Sequence, residues 1–306
     1  MRRIALLVLT VLAACRTAAP ALPPAAPPPA PLAEVPEPKV ALVLGGGAAR
    51  GFAHIGVIRV LEQERIPVDL VVGTSVGSLI GALYAAERNS FELEWTAFQL
   101  KQEDIFDFKV LSAVLGMGLA RGALLEAFVK GHVKQERIED LKIPFAAIAT
   151  DLNWGERIVL DKGSIATAVH ASSAIPGVFE PVMRDGKLLV DGGVVDNIPI
   201  EVARAKGADL VVAVDISEDI GNVNIKNMLD VMLQSTNIMF AVNVAHRKAG
   251  ADVMVQPKVG GVGMLDFGQK KACMDAGIVA AREAVPRIRA AIAAWKERKA
   301  KDRPRS

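Results

Sequence analysis

The stretch that decides the fold runs from Val68 to Ala86 and reads VDLVVGTSVGSLIGALYAA. Its first five residues form a hydrophobic run typical of a buried strand, and the nine residues from Ser78 onward are typical of a helix. The pentapeptide GTSVG, Gly73 to Gly77, predicts a tight turn between them with Ser75 at its apex. Flanking glycines let the backbone bend so that the serine hydroxyl projects from the turn. We therefore predict that Ser75 is a catalytic nucleophile, although the same turn also occurs as ordinary packing in α/β proteins.

Three further runs have the composition of buried strands: Lys39–Leu44, Phe145–Thr150 and Leu210–Asp215. The first is followed by a glycine loop, Gly45–Gly51, and then by a stretch with helical periodicity, Phe52–Arg65. Helical stretches also separate the other runs. This alternation predicts an α/β fold in which a largely parallel sheet lies between helices.

The glycine loop has two interpretations. Main-chain N–H groups at a helix N-terminus can stabilise the negative charge that develops on a carbonyl oxygen during acyl transfer. The alternative is a dinucleotide-binding turn, but Gly51 falls one residue late for the third glycine of G-x-G-x-x-G. The expected acidic residue is also misplaced, because Asp69 lies near the start of the second strand and not at its end. We therefore favour an oxyanion-binding loop.

Two charged residues accompany these motifs. Arg50 lies inside the glycine loop, where its guanidinium would steady the loop, add positive potential near an oxyanion or bind a carbonyl elsewhere. Asp191 ends a short β-rich run before two glycines, where a carboxylate accepts a hydrogen bond from a serine or caps the turn. A Ser-His-Asp triad needs a histidine after the acid, and only His246, in a helix-like stretch, follows Asp191. A serine and an aspartate without a histidine fit the sequence best.

The first 15 residues have the features of a bacterial lipoprotein signal. A short basic start precedes a largely apolar stretch, Ile4–Ala14, which is shorter than the roughly 20 residues that span a bilayer. The small residues before Cys15 resemble a lipobox, whose cleavage leaves the cysteine as a lipid-modified N-terminus; the alternative is an ordinary signal peptide. Residues 16–38 include nine prolines, which predicts an extended tether.

The composition indicates which partners are favoured and how the fold is stabilised. Loss of Arg2 and Arg3 with the signal leaves 34 basic against 34 acidic side chains, so nucleic-acid binding gains no support from charge. Only Cys273 then remains besides the modified Cys15, which excludes an intramolecular disulfide. The fold must depend on burial, which a 51% hydrophobic composition can supply.

Two segments carry weaker signals. Leu111–Ala120 is unusually apolar and contains glycine, which indicates a core helix, a mobile cover or a lipid-facing surface. Residues 286–306 are predicted as a basic C-terminal helix and tail, with Ile288, Ile292 and Trp295 at helical spacing. Such a helix is solvated or lies near anionic lipid.

Taken together, four blocks in order resemble the patatin-like phospholipase family. They are the glycine loop ending at Arg50-Gly51 with the following AHIG, the GTSVG turn, the ASSAIP segment at 171–176, and Asp191-Gly192-Gly193. Each block alone is common, but the four in order are specific. The resemblance covers residues 39–285, which we take as the catalytic domain.

The resemblance implies a three-layer α/β/α sandwich with a mainly parallel central sheet. It also implies that Ser75 is the nucleophile, that Asp191 is the base, and that the oxyanion hole comes from the amides of Gly46, Gly47 and Ala48, helped by Arg50. Ala48 stands where many members have a third glycine, so we expect a negative φ there if its N–H is to serve. Ser172 and Pro176 are expected to shape the wall of the site.

The implied activity is hydrolysis of carboxylic esters of lipids, phospholipid or lysophospholipid, through an acyl-enzyme and without a metal or other cofactor. The partners are then a lipid ester substrate and a membrane surface reached through lipidated Cys15. Arg16 follows that cysteine instead of the aspartate associated with inner-membrane retention in enteric bacteria, so the expected location is the outer membrane facing the periplasm. The alternatives are a lipid-binding or acyl-transferring envelope protein on the same fold, and an α/β-hydrolase esterase that uses His246. The sequence carries no signal for an oligomeric state.

Overall fold

The computed structural model describes residues 36–105, 118–217, 220–221 and 225–302. These residues belong to one compact unit that begins at Val35. The signal, Cys15 and most of the tether lie outside the described residues, so their prediction stands untested. Of the apolar segment Leu111–Ala120, only Gly118–Ala120 is described, and it forms a short strand.

Ten strands occur among the described residues: β1 Val40–Leu44, β2 Leu70–Thr74, β3 Gly118–Ala120, β4 Phe145–Asp151, β5 Arg157–Leu160, β6 Gly177–Phe179, β7 Val182–Arg184, β8 Lys187–Asp191, β9 Leu210–Val214 and β10 Val253–Val255. The α-helices in the same part of the chain are α1 Phe52–Gln63, α2 Val76–Glu87, α3 Ser90–Gln99, α4 Ala123–His132, α5 Ile165–Ser172, α6 Ile200–Ala205, α7 Met228–Arg247 and α8 Lys270–Lys301. The four strands predicted from hydrophobic runs correspond to β1, β2, β4 and β9.

The main sheet has the strand order β10-β9-β1-β2-β4-β8-β7, and β5 also pairs with β4. The pairs from β10 across to β4 are parallel, whereas β5, β7 and β8 add antiparallel pairs. The predicted α/β fold with a mainly parallel sheet is therefore confirmed.

Both faces of the sheet are buried, as the continuous hydrophobic runs predicted. In β1, Val40, Leu42 and Leu44 belong to a large apolar core shared with α1, α2 and α8. Ala41 and Val43 of the same strand belong to a second core that includes residues of α6. Side chains alternate between the faces of a strand, so helices cover the sheet on both sides and give three layers.

The C-terminal helix α8 packs closely against α1. A Cβ atom on Gly56 would lie 2.1 Å from the Met274 carbonyl oxygen, and one on Gly277 would lie 2.0 Å from that of Ala53. Only glycine permits this approach of the two backbones. The helix continues through Pro286 to Lys301, so the predicted boundary after residue 285 falls inside it. Ile288 and Trp295 are buried, as expected for part of the domain.

The register of β4 brings two strand ends together. β2 pairs in parallel with Phe145 to Ile148, and β8 pairs antiparallel with Ala149 to Asp151. The opposite edge of β4 is taken by β5 from Ala147 to Thr150, so β2 and β8 share one edge. They run toward each other along it, and their carboxyl ends meet at the junction of Ile148 and Ala149.

Candidate active site

Ser75 lies directly after β2 in a strained backbone conformation. Its φ of 56° and ψ of −128° are unfavourable for a residue with a side chain, and they turn the chain sharply from strand into α2. The flanking glycines make this turn possible. A Cβ on Gly73 would lie 2.4 Å from the Gly77 carbonyl oxygen, and one on Gly77 would lie 2.1 Å from that of Leu44.

Two hydrogen bonds hold the turn in place. The Ser75 N–H donates to Ser172 Oγ at 2.9 Å, and the Thr74 hydroxyl donates to the Asp196 carbonyl at 3.0 Å. Ser172 is fully buried, so this contact excludes water. The sequence predicted Ser172 only as part of the wall, and the structure gives it the further role of positioning the backbone of the nucleophile.

Asp191 ends β8 and is completely buried. Its Oδ1 accepts a hydrogen bond from the Gly193 N–H at 2.8 Å, whereas Oδ2 has no hydrogen-bond partner among the described residues. Burial raises the pKa of Asp191 to about 7; the nearby Ser75 hydroxyl and the Gly193 N–H lower it by less. The Ser75 hydroxyl therefore lies near the carboxyl group, although it makes no hydrogen bond to Oδ2. This leaves Oδ2 available to accept a proton.

Helix α7 supports the turn after Asp191. A Cβ on Gly193 would lie 2.2 Å from the ring of Phe240, so only glycine fits beneath this helix. The Asn243 side chain donates to the carbonyl oxygens of Gly193 and Val194 at 3.2 and 3.1 Å. The turn whose Gly193 N–H binds the carboxylate is therefore held by side chains of α7, about 50 residues further along the chain.

The amide of Gly46 is already occupied, which corrects its assignment to the oxyanion hole. Its N–H donates to Asn197 Oδ1 at 3.0 Å, and Asn197 Nδ2 donates back to the Gly46 carbonyl at 3.3 Å. This reciprocal pair ties the glycine loop to the segment that follows Asp191. Sequence reasoning missed Asn197 because nothing local relates two residues 151 positions apart.

Three other N–H groups remain available near Ser75. Among the described residues, those of Gly47, Ala48 and Val76 have no hydrogen-bond partner. Val76 is the first residue of α2, where N–H groups lack an intrahelical acceptor, and the sequence analysis did not include it. Ala48, Ser75 and Val76 line the same pocket. The N–H groups of Gly47, Ala48 and Val76, and not that of Gly46, are therefore the unpaired donors that the described residues offer in this part of the site.

The condition set for Ala48, a negative φ if its N–H is to serve, is not met. Its φ is 49°, in the left-handed region that favours glycine. The loop retains this conformation because Ala49 N–H donates to the Met264 carbonyl and Arg50 N–H to that of Gly47. Alanine thus adopts the backbone shape of glycine here at a cost of about 1 kcal/mol.

Arg50 holds the loop from behind. Its side chain is only 2% exposed; Nε donates to the Val262 carbonyl at 2.9 Å and one terminal nitrogen donates to Asn237 Oδ1 at 3.3 Å. Of the three roles considered for Arg50, carbonyl binding and loop anchoring are those seen. Its predicted contribution to the oxyanion hole is then indirect.

Neither His54, which lies in α1 after the glycine loop, nor His246, considered above, is placed to serve as a base. His54 is buried, and its Nε2 donates to the Gly45 carbonyl at 2.8 Å. Burial lowers the pKa of His54 to about 4, so the ring is neutral at pH 7 and fixes the direction of the Gly45 carbonyl. His246 is exposed in the last turn of α7, and no histidine lines the described pocket at Ser75. The Ser-His-Asp alternative has no support from these positions.

An apolar pocket lies at Ser75, with about 550 Å³ of space between its walls that is not filled by protein atoms and is partly open to solvent. Its walls are almost entirely hydrophobic, and the side chains that extend it away from the serine are Leu79, Ile80, Leu100, Ile105, Leu125, Phe179 and Phe267. Ser173 is the other hydroxyl on this wall. A hydrocarbon chain suits these walls because burial of apolar surface is favourable at roughly 25 cal/mol per Å².

In the part of the chain that the structure describes, no group of three or more His, Cys, Asp or Glu side chains could hold a metal ion. Nor does any helix of these residues combine the length and apolar character needed to cross a bilayer.

The family model for patatin-like phospholipases matches residues 42–204, from β1 through the glycine loop, Ser75 and Asp191 to α6. The chain belongs to the patatin-like phospholipase family. Membership of this family supports lipid ester hydrolysis in general.

Relatives of this patatin-like chain extend well beyond it. Patatin-like phospholipase domain-containing protein 6 of Mus musculus is 39% identical over 184 residues, which is 58% of this chain and 13% of the mouse protein. An uncharacterized NTE family protein of Mycobacterium tuberculosis is 36% identical over 217 residues, 68% of this chain and 59% of its own length. VipD of Legionella pneumophila has the same fold, with a TM-score of 0.55 at 17% identity over 81% of this chain and 66% of VipD.

Proposed function

We propose that this patatin-like protein is a serine acyl hydrolase that cleaves carboxylic esters of lipids through Ser75 and Asp191. The observation that carries the proposal is the pairing of a strained serine with a fully buried aspartate at the meeting ends of β2 and β8. Strain and burial of this kind are costly and cluster at catalytic sites. The apolar pocket that begins at the serine supports a fatty acyl chain as the substrate group.

In the first half of the reaction, Asp191 Oδ2 takes the proton of the Ser75 hydroxyl as Oγ attacks the ester carbonyl carbon. The carbonyl oxygen becomes an oxyanion that the N–H groups of Gly47, Ala48 and Val76 stabilise. Collapse of this intermediate breaks the bond between the carbonyl carbon and the alcohol oxygen. Protonated Asp191 gives its proton to that oxygen, which leaves an acyl group on Ser75 and releases the alcohol.

In the second half, Asp191 removes a proton from water as the water oxygen attacks the acyl carbonyl. The same N–H groups stabilise the second oxyanion. Cleavage of the bond to Oγ releases the fatty acid, and the proton on Asp191 returns to Ser75. A pKa of about 7 suits Asp191 to both roles, because it can accept and donate a proton near neutral pH.

Release of fatty acid from mixed micelles of phosphatidylcholine or lysophosphatidylcholine tests the proposal. Wild type is expected to release fatty acid and to react with a fluorophosphonate probe at Ser75, and Ser75→Ala is expected to do neither. Ser173→Ala is the matched control, because Ser173 lines the same pocket but takes no part in the mechanism. A wild type that neither releases fatty acid nor labels would reject the hydrolase in favour of lipid binding. Transfer of the acyl group to an added alcohol instead of water would identify an acyltransferase.

We also propose that lipidation of Cys15 anchors the enzyme to the outer membrane, facing the periplasm. The support is the signal-like start and the small residues before Cys15. Cells that express the chain should incorporate labelled palmitate into it, and Cys15→Ser should abolish incorporation and release the protein from the membrane fraction. Equal incorporation in both would contradict the assignment.

A further inference from the structure

The outer face of α7 is apolar along its whole length. Its exposed residues include six with the spacing 3-4-3-4-3, which are Met228, Val231, Ser235, Ile238, Val242 and Ala245. The four larger side chains are between 39% and 73% exposed. Ser235 is the polar member, and its hydroxyl donates to the Val231 carbonyl at 2.8 Å, so it presents no free donor. We call these six residues the α7 seam.

A solvent-facing side of a helix is normally polar. The outer face of α8 follows that rule, with exposed Lys271, Asp275, Arg282 and Glu283. By contrast, no charged residue occurs from Val231 to Ala245. Alternating steps of three and four residues are the a and d positions of a heptad, which place apolar side chains against another helix. The α7 seam therefore has the pattern of a helix that lacks its partner.

We infer that the α7 seam pairs with the α7 seam of a second copy of this chain, with the two helices antiparallel. The spacing reads the same in both directions, so a two-fold axis at its centre places every seam residue opposite another seam residue. The pairs are complementary in size. Met228 lies opposite Ala245 and Ser235 opposite Ile238, which places a large side chain against a smaller one in each case, and Val231 lies opposite Val242.

Charge favours the antiparallel direction. The first turn of α7 carries Asp230, whereas its last turn carries His246 and exposed Lys248 follows; Arg247, between them, already pairs with Glu201 and Asp196. A parallel pair would place the two basic ends side by side. An antiparallel pair places each basic end beside the Asp230 of its partner and opposes the two helix dipoles.

The composition of α7 argues against a lipid surface as the occupant. Helices that lie on membranes carry Lys and Arg on their polar face and aromatic residues at the interface. Residues 231–245 contain no Lys, Arg, Trp or Tyr. The inner face is committed to the active site, since Asn237 binds Arg50 and Asn243 binds Gly193. A helix that supports the catalytic turn on one side is thus expected to be covered by protein on the other.

Sedimentation equilibrium of the full chain carrying Cys15→Ser, which cannot be acylated, tests the pairing. We expect the chain to dimerise with a dissociation constant below about 100 µM, which is the affinity expected of a small interface. The variant Ile238→Glu/Val242→Glu should be monomeric with unchanged circular dichroism. Val279→Glu is the control for an added surface charge, because it places one glutamate at a valine that is 56% exposed on α8, and it should remain dimeric. It is compared with the single variant Val242→Glu. A monomeric parent chain overturns the inference.

Cysteine cross-linking tests the direction without depending on a destabilising charge. In the antiparallel pair, Val231→Cys/Val242→Cys should form an intermolecular disulfide under mild oxidation. Val231→Cys alone should not, because its two copies lie about 16 Å apart along the axis. Cross-linking of the single variant would overturn the antiparallel arrangement. A monomer that floats with phosphatidylethanolamine–phosphatidylglycerol vesicles, and loses flotation on Ile238→Glu, would instead assign the seam to lipid.

Discussion

Replacement of Asp191 by Asn is expected to lower kcat for fatty-acid release by about 10²- to 10⁴-fold, the typical contribution of a general base. The amide keeps the shape of the carboxylate and can still accept the Gly193 hydrogen bond, but it cannot take the proton of Ser75. Ser75→Ala should fall to a similar residual rate. The double variant should be no slower than either single one, because the two groups act as one unit. The measurement is fatty-acid release from micelles under saturating lipid.

Asp151→Asn provides the control for this series. Asp151 is a buried aspartate that ends β4 in the same sheet, and it pairs with Lys187 instead of with the nucleophile. It should retain most of the activity. Independent, multiplicative losses in the double Ser75→Ala/Asp191→Asn variant would show that Asp191 does not act through Ser75.

The second large expected effect is the dependence of kcat/KM on pH. Because burial raises the pKa of Asp191 to about 7, kcat/KM should rise with pH and reach half its plateau near pH 7. Asp191 must be ionised to accept the proton of Ser75. A kcat/KM that is constant between about pH 5 and about pH 8 would contradict ionisation of Asp191 as the controlling event.

The same ionisation should make the wild type less stable as pH rises. In the unfolded chain the carboxyl titrates at its ordinary pKa of 3.8, whereas in the folded chain it keeps its proton up to about pH 7. Between these values only the unfolded state loses the proton, so the free energy of unfolding decreases with rising pH and remains low above pH 7. Asp191→Asn has no such charge to bury. Relative to wild type, it should gain up to about 4 kcal/mol of stability between acidic and alkaline pH.

Urea denaturation of wild type and Asp191→Asn near both ends of that window measures this difference. An equal stability difference between the two proteins at both pH values would show that Asp191 is not buried as a neutral acid. The expected outcome is an aspartate retained for catalysis although it destabilises the fold, as is common at active sites.

Sequence patterns predicted those features that depend on neighbouring residues. The hydrophobic runs indicated β1, β2, β4 and β9, and the glycines around Ser75 indicated its turn. Asn197 was missed because it reaches Gly46 only through the packing of segments far apart in the chain. Arg50 left three roles open for the same reason, since its partners, Asn237 and Val262, are 187 and 212 residues away.

The glycine loop shows a second limit on what can be predicted from the sequence. The sequence showed which N–H groups lie in the loop, but their availability depends on tertiary hydrogen bonds. The loop also fixes a positive φ at Ala48, although alanine by itself favours a negative one. Similarly, a helix-like stretch around His246 was predicted, but the unpaired apolar side of α7 emerged only once the other side was seen against the active site.

The meeting of β2 and β8 on one edge of β4 determines when the active site forms during synthesis and folding. Ser75 is synthesised 116 residues before Asp191, and no local contact holds the two together. A slip of β8 by one residue along β4 would turn Asp191 to the opposite face of the sheet. A nascent or partly folded chain therefore carries a nucleophile without its base. Under the proposed chemistry, lipid cleavage begins only when β8 has docked in register on β4.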